Sequence, residues 1–171
     1  MLVGMKEVGE LLNEMRAVGV ISEYALFGAI AQMRYTQAVA TLDADILIAV
    51  PSLERLDVLK PVYDFCAAKG FRAEGEAIRV GAWPVQFIPV FNALTREALE
   101  QAEDGAFEGV PFRVVRADHL AAIALSTGRA KDHARIVSLL ESGSVSREDI
   151  TQLAARHGLA DAWRRFQSRY L

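Results

Sequence analysis

Apolar residues recur at helical spacing near the start of the chain and in continuous runs further on. Residues 5–18 predict an amphipathic helix ending near Gly19, with these apolar positions on one face: Val8, Leu11, Leu12, Met15 and Val18. A short apolar run from Tyr24 to Phe27 then predicts a strand that breaks at Gly28. It leads into a helical segment of small residues that is expected to end at Thr41.

Two acidic residues open the next apolar run. Residues 46–50 are aliphatic and partly β-branched, which is typical of a buried strand, and Asp43, Ala44 and Asp45 lead directly into them. Because side chains alternate along a strand, Asp43 and Asp45 are expected to point the same way. Neighbouring carboxylates repel each other and are costly to desolvate, and a divalent cation relieves both costs. The pattern predicts a metal site, and the alternative is a solvated loop end whose acids cap a turn.

The rest of the chain predicts a mixed half followed by helices. The expected elements are a helix over 53–69 capped by Ser52, strands over 71–80 and 85–90, a helix over 95–103 capped by Thr95, an extended stretch over 107–115, helices over 118–126 and 130–141, and two closing helices split at His157. The predicted fold class is α/β (α+β). Residues 1–115 are interpreted as an α/β domain and residues 116–171 as a helical extension packed on it.

Composition and charge narrow the classes of function. With 171 residues, 52% of them hydrophobic and 24% charged, the chain can bury an ordinary globular core. A net charge of −3 gives no electrostatic footprint for duplex DNA. Cys66 is the only cysteine, which excludes an internal disulfide and a thiolate metal cluster. No signal peptide or bilayer-spanning run is visible, so we expect a cytoplasmic protein without membrane contact.

Two segments together resemble a known superfamily. Gly28-Ala29 in a strand-to-helix turn, followed by Thr41-Leu42-Asp43-Ala44-Asp45 before aliphatic residues, resembles the nucleotidyltransferase superfamily, which has the DNA polymerase β-like fold. Among its small members the chain is most similar to minimal nucleotidyltransferases and to the AbiEii-like toxins of toxin–antitoxin and phage-defence systems. Residues 120–132 look like the AbiEii-type segment in which a helix ends at Gly-Arg and Lys-Asp opens the next. The resemblance covers most of residues 24–140 and implies a mixed sheet flanked by helices.

The resemblance also implies roles for individual residues. Asp43 and Asp45 would hold two Mg²⁺ (or Mn²⁺) ions, which bridge the triphosphate of an NTP substrate. The nucleotide-binding residues would be Gly28, Ala29, Thr41, Arg129 and Lys131. The plain alternatives are a tight turn at Gly28 and, around Arg129 and Lys131, a helix end followed by the charges of the next helix.

Three positions depart from the superfamily pattern. A later strand usually supplies a third carboxylate, but Gln86 stands at that position. Glutamine can bind a metal through its carbonyl oxygen, yet it cannot accept a proton at neutral pH. Glu74 or Glu76 on a neighbouring strand could replace the missing acid. Ala124 and Arg135 stand where AbiEii-like proteins often have Lys and Asp.

The resemblance and the departures leave three functions open. The first is a nucleotidyltransferase that moves a nucleoside monophosphate from an NTP to a hydroxyl of a protein, RNA or small molecule. The second is a degenerate module that binds nucleotide or a partner protein without turnover, which Gln86, Ala124 and Arg135 favour. The third is a metal-dependent glycosyltransferase, which also uses an Asp-x-Asp pair. The three histidines lack metal-ligand spacing and are interpreted as surface or packing residues: His119, His133 and His157.

Overall fold

The computed structural model describes residues 3–37, 40–51 and 57–171. The strands are β1 (Glu23–Leu26), β2 (Ala44–Ala49), β3 (Arg72–Glu74), β4 (Ala77–Val80), β5 (Trp83–Pro89), β6 (Glu103–Phe107) and β7 (Val110–Val114). The helices are α1 (Met5–Ala17), α2 (Gly28–Gln32), α3 (Lys60–Ala68), α4 (Ala93–Glu100), α5 (Ala117–Thr127), α6 (Ala130–Glu141), α7 (Arg147–Arg156) and α8 (Ala160–Tyr170).

Strand β2 lies at the centre of one mixed sheet. The strand order is β3-β4-β5-β2-β1-β7-β6, with β2 antiparallel to β1 and parallel to β5. Its Ile46, Leu47 and Ile48 are completely buried, which accounts for the continuous apolar run in the sequence. The parallel register places Asp45 directly beside Gln86 of β5.

Helix α1 packs against the sheet through the face that the sequence predicts, except at its end. Val8, Leu12 and Met15 are completely buried, whereas Val18 is 60% exposed because the helix ends before it. The helix also approaches β7 closely. A Cβ on Gly9 would lie 2.5 Å from the Phe112 ring, so only glycine fits at this position.

Several predicted boundaries are wrong, and local backbone chemistry explains them. The helix after Gly28 ends at Gln32 rather than at Thr41. Residues 71–80 form the hairpin of β3 and β4 rather than one strand, because Gly75 turns the chain with φ +64°. The extended stretch likewise begins earlier than predicted and contains both β6 and β7.

The predicted cap of α4 is also wrong. Asn92 is the N-cap, and Thr95 occupies the third helical position, where the two residues form a reciprocal capping box. Thr95 has the right chemistry for capping but lies one turn too late. The predicted helix over 53–69 is described only from residue 57 onward, so its proposed cap, Ser52, lies outside the described residues.

Four helices, α5 to α8, form the C-terminal part of the chain. Gly128 ends α5 in the left-handed conformation with φ +66°, and Ser146 forms a capping box with Asp149 at the start of α7. The division into two domains at residue 115 stays a prediction. None of the helices in the described ranges has both the length and the apolar composition that crossing a bilayer requires.

Glu97 links α4 to the helical half. His157 Nε2 lies 2.6 Å from Glu97 Oε2, His119 Nε2 lies 3.3 Å from Oε1, and Arg156 donates to the same carboxylate. Partial burial raises the pKa of Glu97, but the hydrogen bonds from His157, Arg156 and His119 outweigh it and hold the pKa below its usual value of 4.5. His119 is therefore a buried network residue, as a packing interpretation requires.

We expect Glu97→Gln to lower the free energy of unfolding by about 1–2 kcal/mol at pH 7, because the charged acceptor is lost. An acid with a lowered pKa stabilises the fold above its unfolded pKa and loses that contribution as the pH falls through its folded pKa. The difference between the two proteins should therefore shrink below about pH 4.5. Urea denaturation from pH 3 to 7 measures it, with Glu100→Gln on the exposed face of α4 as the matched control. An equal difference at every pH would contradict the role of the carboxylate charge.

Candidate functional site

Asp43 and Asp45 lie at the start of β2, and Gly28 packs directly beside them. Asp43 precedes the strand, Asp45 is its second residue, and both side chains are half-buried. Gly28 follows β1 and has φ +60°, a backbone conformation that residues other than glycine rarely adopt. A Cβ on Gly28 would lie only 2.3 Å from Asp45 Oδ2. Glycine is therefore needed here both for the turn and for the space that the Asp45 carboxylate occupies.

The two carboxylates open onto a cleft with a volume of about 510 Å³. This size lies within the range of small-molecule binding sites. The cleft is lined by Ala29 and Gln32 of α2, by Ala40, Thr41, Leu42, Asp43 and Asp45, and by Lys131, Ala134, Arg135 and Ser138 of α6. The α6 residues follow helical spacing, so one face of this helix forms the wall opposite the carboxylates.

Gln86 occupies the position next to the carboxylate pair on β5. Its Nε2 donates a hydrogen bond to Asp43 Oδ2 at 2.9 Å. The structure thus places an amide beside the pair. Glu74 does not replace it, because β3 lies three strands from β2, or about 14 Å. Glu76 lies in the turn before β4 and is not grouped with the pair either. In residues 3–37, 40–51 and 57–171, no three acidic, histidine or cysteine side chains are grouped to hold a metal together.

Arg129 and Lys131 lie near the carboxylates but differ in their contacts. Lys131 lines the cleft. Arg129 donates from Nε to Asp132 Oδ2 at 2.7 Å, and a hydrogen bond from Thr127 at 2.9 Å also holds this completely buried carboxylate. The Asp132 carboxylate also accepts a hydrogen bond from the Arg129 backbone N–H at 3.2 Å and so caps the start of α6, which agrees with the plain interpretation of this segment.

Arg135 and Gln32 line the cleft, although no pattern in the sequence predicted a binding role for either residue. Arg135 Nε donates to Gln32 Oε1 at 3.0 Å, and the Arg135 side chain is only 14% exposed. Its Nη1 lies 3.7 Å from Asp132 Oδ1. Helical spacing could have indicated the position of Arg135, because it follows Lys131 by four residues and therefore lies on the same face of the helix.

Negatively and positively charged side chains face each other across the cleft. Burial and then repulsion from Asp43 raise the pKa of Asp45, while attraction by Arg135, Lys131 and Arg129 acts in the opposite direction. Burial lowers the pKa of Arg135, and attraction by Asp132 and Asp45 opposes that effect. Keeping both carboxylates ionised therefore costs free energy in this cleft.

The residues present fit a divalent cation. Asp43 and Asp45 offer carboxylate oxygens, and Gln86 offers an amide oxygen if its side chain turns; Mg²⁺ and Mn²⁺ prefer such oxygen ligands. The Thr41 hydroxyl donates to the Asp43 carbonyl oxygen at 2.9 Å and holds the loop before β2. A cation bound between the two carboxylates would remove the repulsion that raises the pKa of Asp45.

Solved structures resemble this chain over nearly its whole length. The solution structure of the antibiotic-resistance factor ANT(2'')-Ia matches with a TM-score of 0.59 and 14% identity, covering 99% of this chain and 100% of that one. The crystal structure of an antigenic nucleotidyltransferase-like protein from Paracoccidioides brasiliensis matches with a TM-score of 0.54 and 14% identity, covering 92% and 90%. The crystal structure of ANT(2'')-Ia in complex with adenylyl-2''-tobramycin gives 0.50 and 12%, covering 96% and 97%.

The sequence itself matches no protein-family model and no curated protein. At such low identity the structural likeness shows the fold alone. It confirms the predicted fold class, while the AbiEii-like subtype stays a prediction. The chain therefore has a nucleotidyltransferase fold, with a seven-stranded mixed sheet flanked by helices.

We expect Gly28→Ala to destabilise the protein by about 1–3 kcal/mol and to weaken Mn²⁺ binding, because the new Cβ displaces the Asp45 carboxylate. Gly19→Ala is the matched control. Gly19 also has a positive φ, +81°, but nothing lies within 4 Å of the position of its Cβ. Urea denaturation and Mn²⁺ titration of both variants measure the difference. Equal destabilisation with unchanged Mn²⁺ binding would show that the contact with Asp45 is unimportant.

Proposed function

We propose that this protein is a metal-dependent nucleotidyltransferase that transfers a nucleoside monophosphate from an NTP to a hydroxyl group. The main support is one arrangement in the nucleotidyltransferase fold. The Asp43 and Asp45 carboxylates open onto a cleft whose opposite wall has the cationic side chains of Lys131 and Arg135. A polyphosphate ligand requires carboxylates that hold a metal cation and positively charged side chains that face them.

The chain's own residues have distinct roles in this proposal. Asp43 and Asp45 would hold Mg²⁺ or Mn²⁺, which supplies charge stabilisation to the reacting phosphate when it is bound. Gly28 leaves room for the Asp45 carboxylate that would hold the metal, and the sequence resemblance also gives its backbone a contact with phosphate. Lys131 and Arg135 balance the negative charge of the triphosphate, and Arg129 adds a longer-range attraction. Ala29 and Thr41 line the cleft and complete the proposed nucleotide-binding set.

Among the possible acceptors, a small molecule is favoured over a protein or RNA. This chain spans the full length of the ANT(2'')-Ia solution structure, and ANT(2'')-Ia has been crystallised with adenylyl-2''-tobramycin. A cleft of about 510 Å³ between α2, β2 and α6 also suits a compact acceptor. A toxin–antitoxin or defence context stays a prediction from the sequence resemblance.

The second candidate function is nucleotide binding without turnover. It is favoured by the hydrogen bond from Gln86 Nε2 to Asp43, because an amide at this position cannot accept the proton of the attacking hydroxyl. The cleft would then bind a nucleotide through the same cations and the same carboxylate-held metal. The two candidates differ only in whether the nucleoside monophosphate is transferred from the NTP to an acceptor.

Substituting Asp43 by Asn tests both candidates together. With each labelled NTP and Mg²⁺ or Mn²⁺, the native protein is expected to move label to a hydroxyl acceptor, and Asp43→Asn to reduce that transfer by about 100-fold or more. Calorimetry of Mn²⁺ and nucleotide binding runs in parallel. Asp64→Asn, an exposed acid on α3, is the matched control. Binding without transfer in the native protein favours the second candidate, whereas unchanged Mn²⁺ binding in Asp43→Asn refutes the metal site.

A carboxylate at position 86 tests the role of the glutamine. Gln86→Asp is expected to raise turnover roughly tenfold or more, because it restores a group that can accept the hydroxyl proton. Gln86→Asn introduces a side chain as long as that of Asp but without its charge, and it should not raise turnover. The steady-state rate with saturating NTP is the measurement. If Gln86→Asp is no faster than Gln86→Asn, Gln86 does not limit the rate.

A further inference from the structure

Arg135 is a buried cation in the wall of the cleft. Its side chain is 14% exposed, and its Nε donates at 3.0 Å to Gln32, a residue that is itself only 4% exposed. Gln32 is neutral, so this hydrogen bond orients the guanidinium without neutralising it. A buried charge is costly unless an opposite charge compensates it.

The carboxylate beside Arg135 is already shared. Asp132 Oδ1 lies 3.7 Å from Arg135 Nη1, but Asp132 also accepts hydrogen bonds from Arg129 Nε at 2.7 Å and from Arg129 Nη2 at 3.2 Å. Two guanidinium groups thus share one carboxylate. One positive charge is left over, and Arg135 lines the cleft that also contains Asp45.

The opposite wall has too few acids for two metal ions. Two divalent ions held about 4 Å apart repel each other, so a site for both needs carboxylates that offset four positive charges. Here the third polar side chain beside Asp43 and Asp45 is the amide of Gln86, whose Nε2 donates to Asp43. Among the residues that the structure describes, no third acid joins this group. The donor set therefore suits one divalent cation better than two.

We propose that Arg135 supplies, as a permanent part of the cleft, the positive charge that a second divalent ion would otherwise provide, so that Asp43 and Asp45 hold a single divalent cation. This rests on the proposed function. Arg135 then has two opposite effects. It repels the cation that binds the carboxylates, and it attracts the triphosphate that binds across them.

These opposite effects define the experiment. Mn²⁺ is titrated into the full-length protein, with free Mn²⁺ followed by electron paramagnetic resonance, and inorganic triphosphate binding is measured by calorimetry. The native protein is expected to bind one Mn²⁺. Arg135→Gln should bind Mn²⁺ about fivefold more tightly and triphosphate about tenfold more weakly, because one positive charge has left the cleft. The double variant Gln86→Asp/Arg135→Gln should bind two Mn²⁺.

Two further variants keep the test independent of folding. Arg135→Lys retains the charge and should behave as the native protein toward Mn²⁺, even if Arg135→Gln proves unstable by circular dichroism. Arg147→Gln removes one positive charge from the exposed surface of α7 and should change neither affinity.

The possible results separate this proposal from the function on which it rests. Two Mn²⁺ ions of similar affinity in the native protein overturn the single-cation proposal but leave the metal site. No Mn²⁺ binding overturns both. One Mn²⁺ together with weaker Mn²⁺ binding in Arg135→Gln overturns the role of Arg135, because a competing charge must strengthen metal binding when it is removed.

Discussion

The parallel pairing of β2 with β5 is the constraint on which the site depends. It sets Asp45 beside Gln86 and brings the amide within hydrogen-bond distance of Asp43. Beyond Asp45 the strand is covered on both faces, because Ile46, Leu47 and Ile48 are completely buried. A slip of one residue would exchange the two faces of β2 and turn the Asp45 carboxylate away from the cleft. The register therefore decides that the acids face the cleft.

The facing wall is organised by a buried acid. Asp132 is completely buried, and its partners Thr127 and Arg129 fix the start of α6 relative to the end of α5. That contact also sets the direction of the helix and hence the positions of Lys131 and Arg135 one turn apart. A charge that serves folding thus determines where the positive charges that line the cleft lie. The geometry of the junction between α5 and α6 therefore determines the electrostatics of the cleft.

Local patterns in the sequence predicted the acids better than the cations. Alternation along a strand was enough to place Asp43 and Asp45 on the same face, because strand periodicity is a local property. The contact of Arg135 with Gln32 joins residues far apart in the chain, and no local pattern shows which helix face meets which turn. The boundary errors have a similar origin. Asn92 and Thr95 both have capping chemistry, and only the path of the chain after β5 decides between them.

The origin of the two walls has a consequence during protein synthesis. The acids belong to the first third of the chain, whereas the cations belong to α6 in the last third. A nascent chain that has left the ribosome only as far as β7 has the carboxylates but not the helix that faces them. Any ligand that needs both charges stabilises only the finished chain, because binding lowers the free energy of the bound state alone. Until α6 has emerged, the growing chain folds without help from any such ligand.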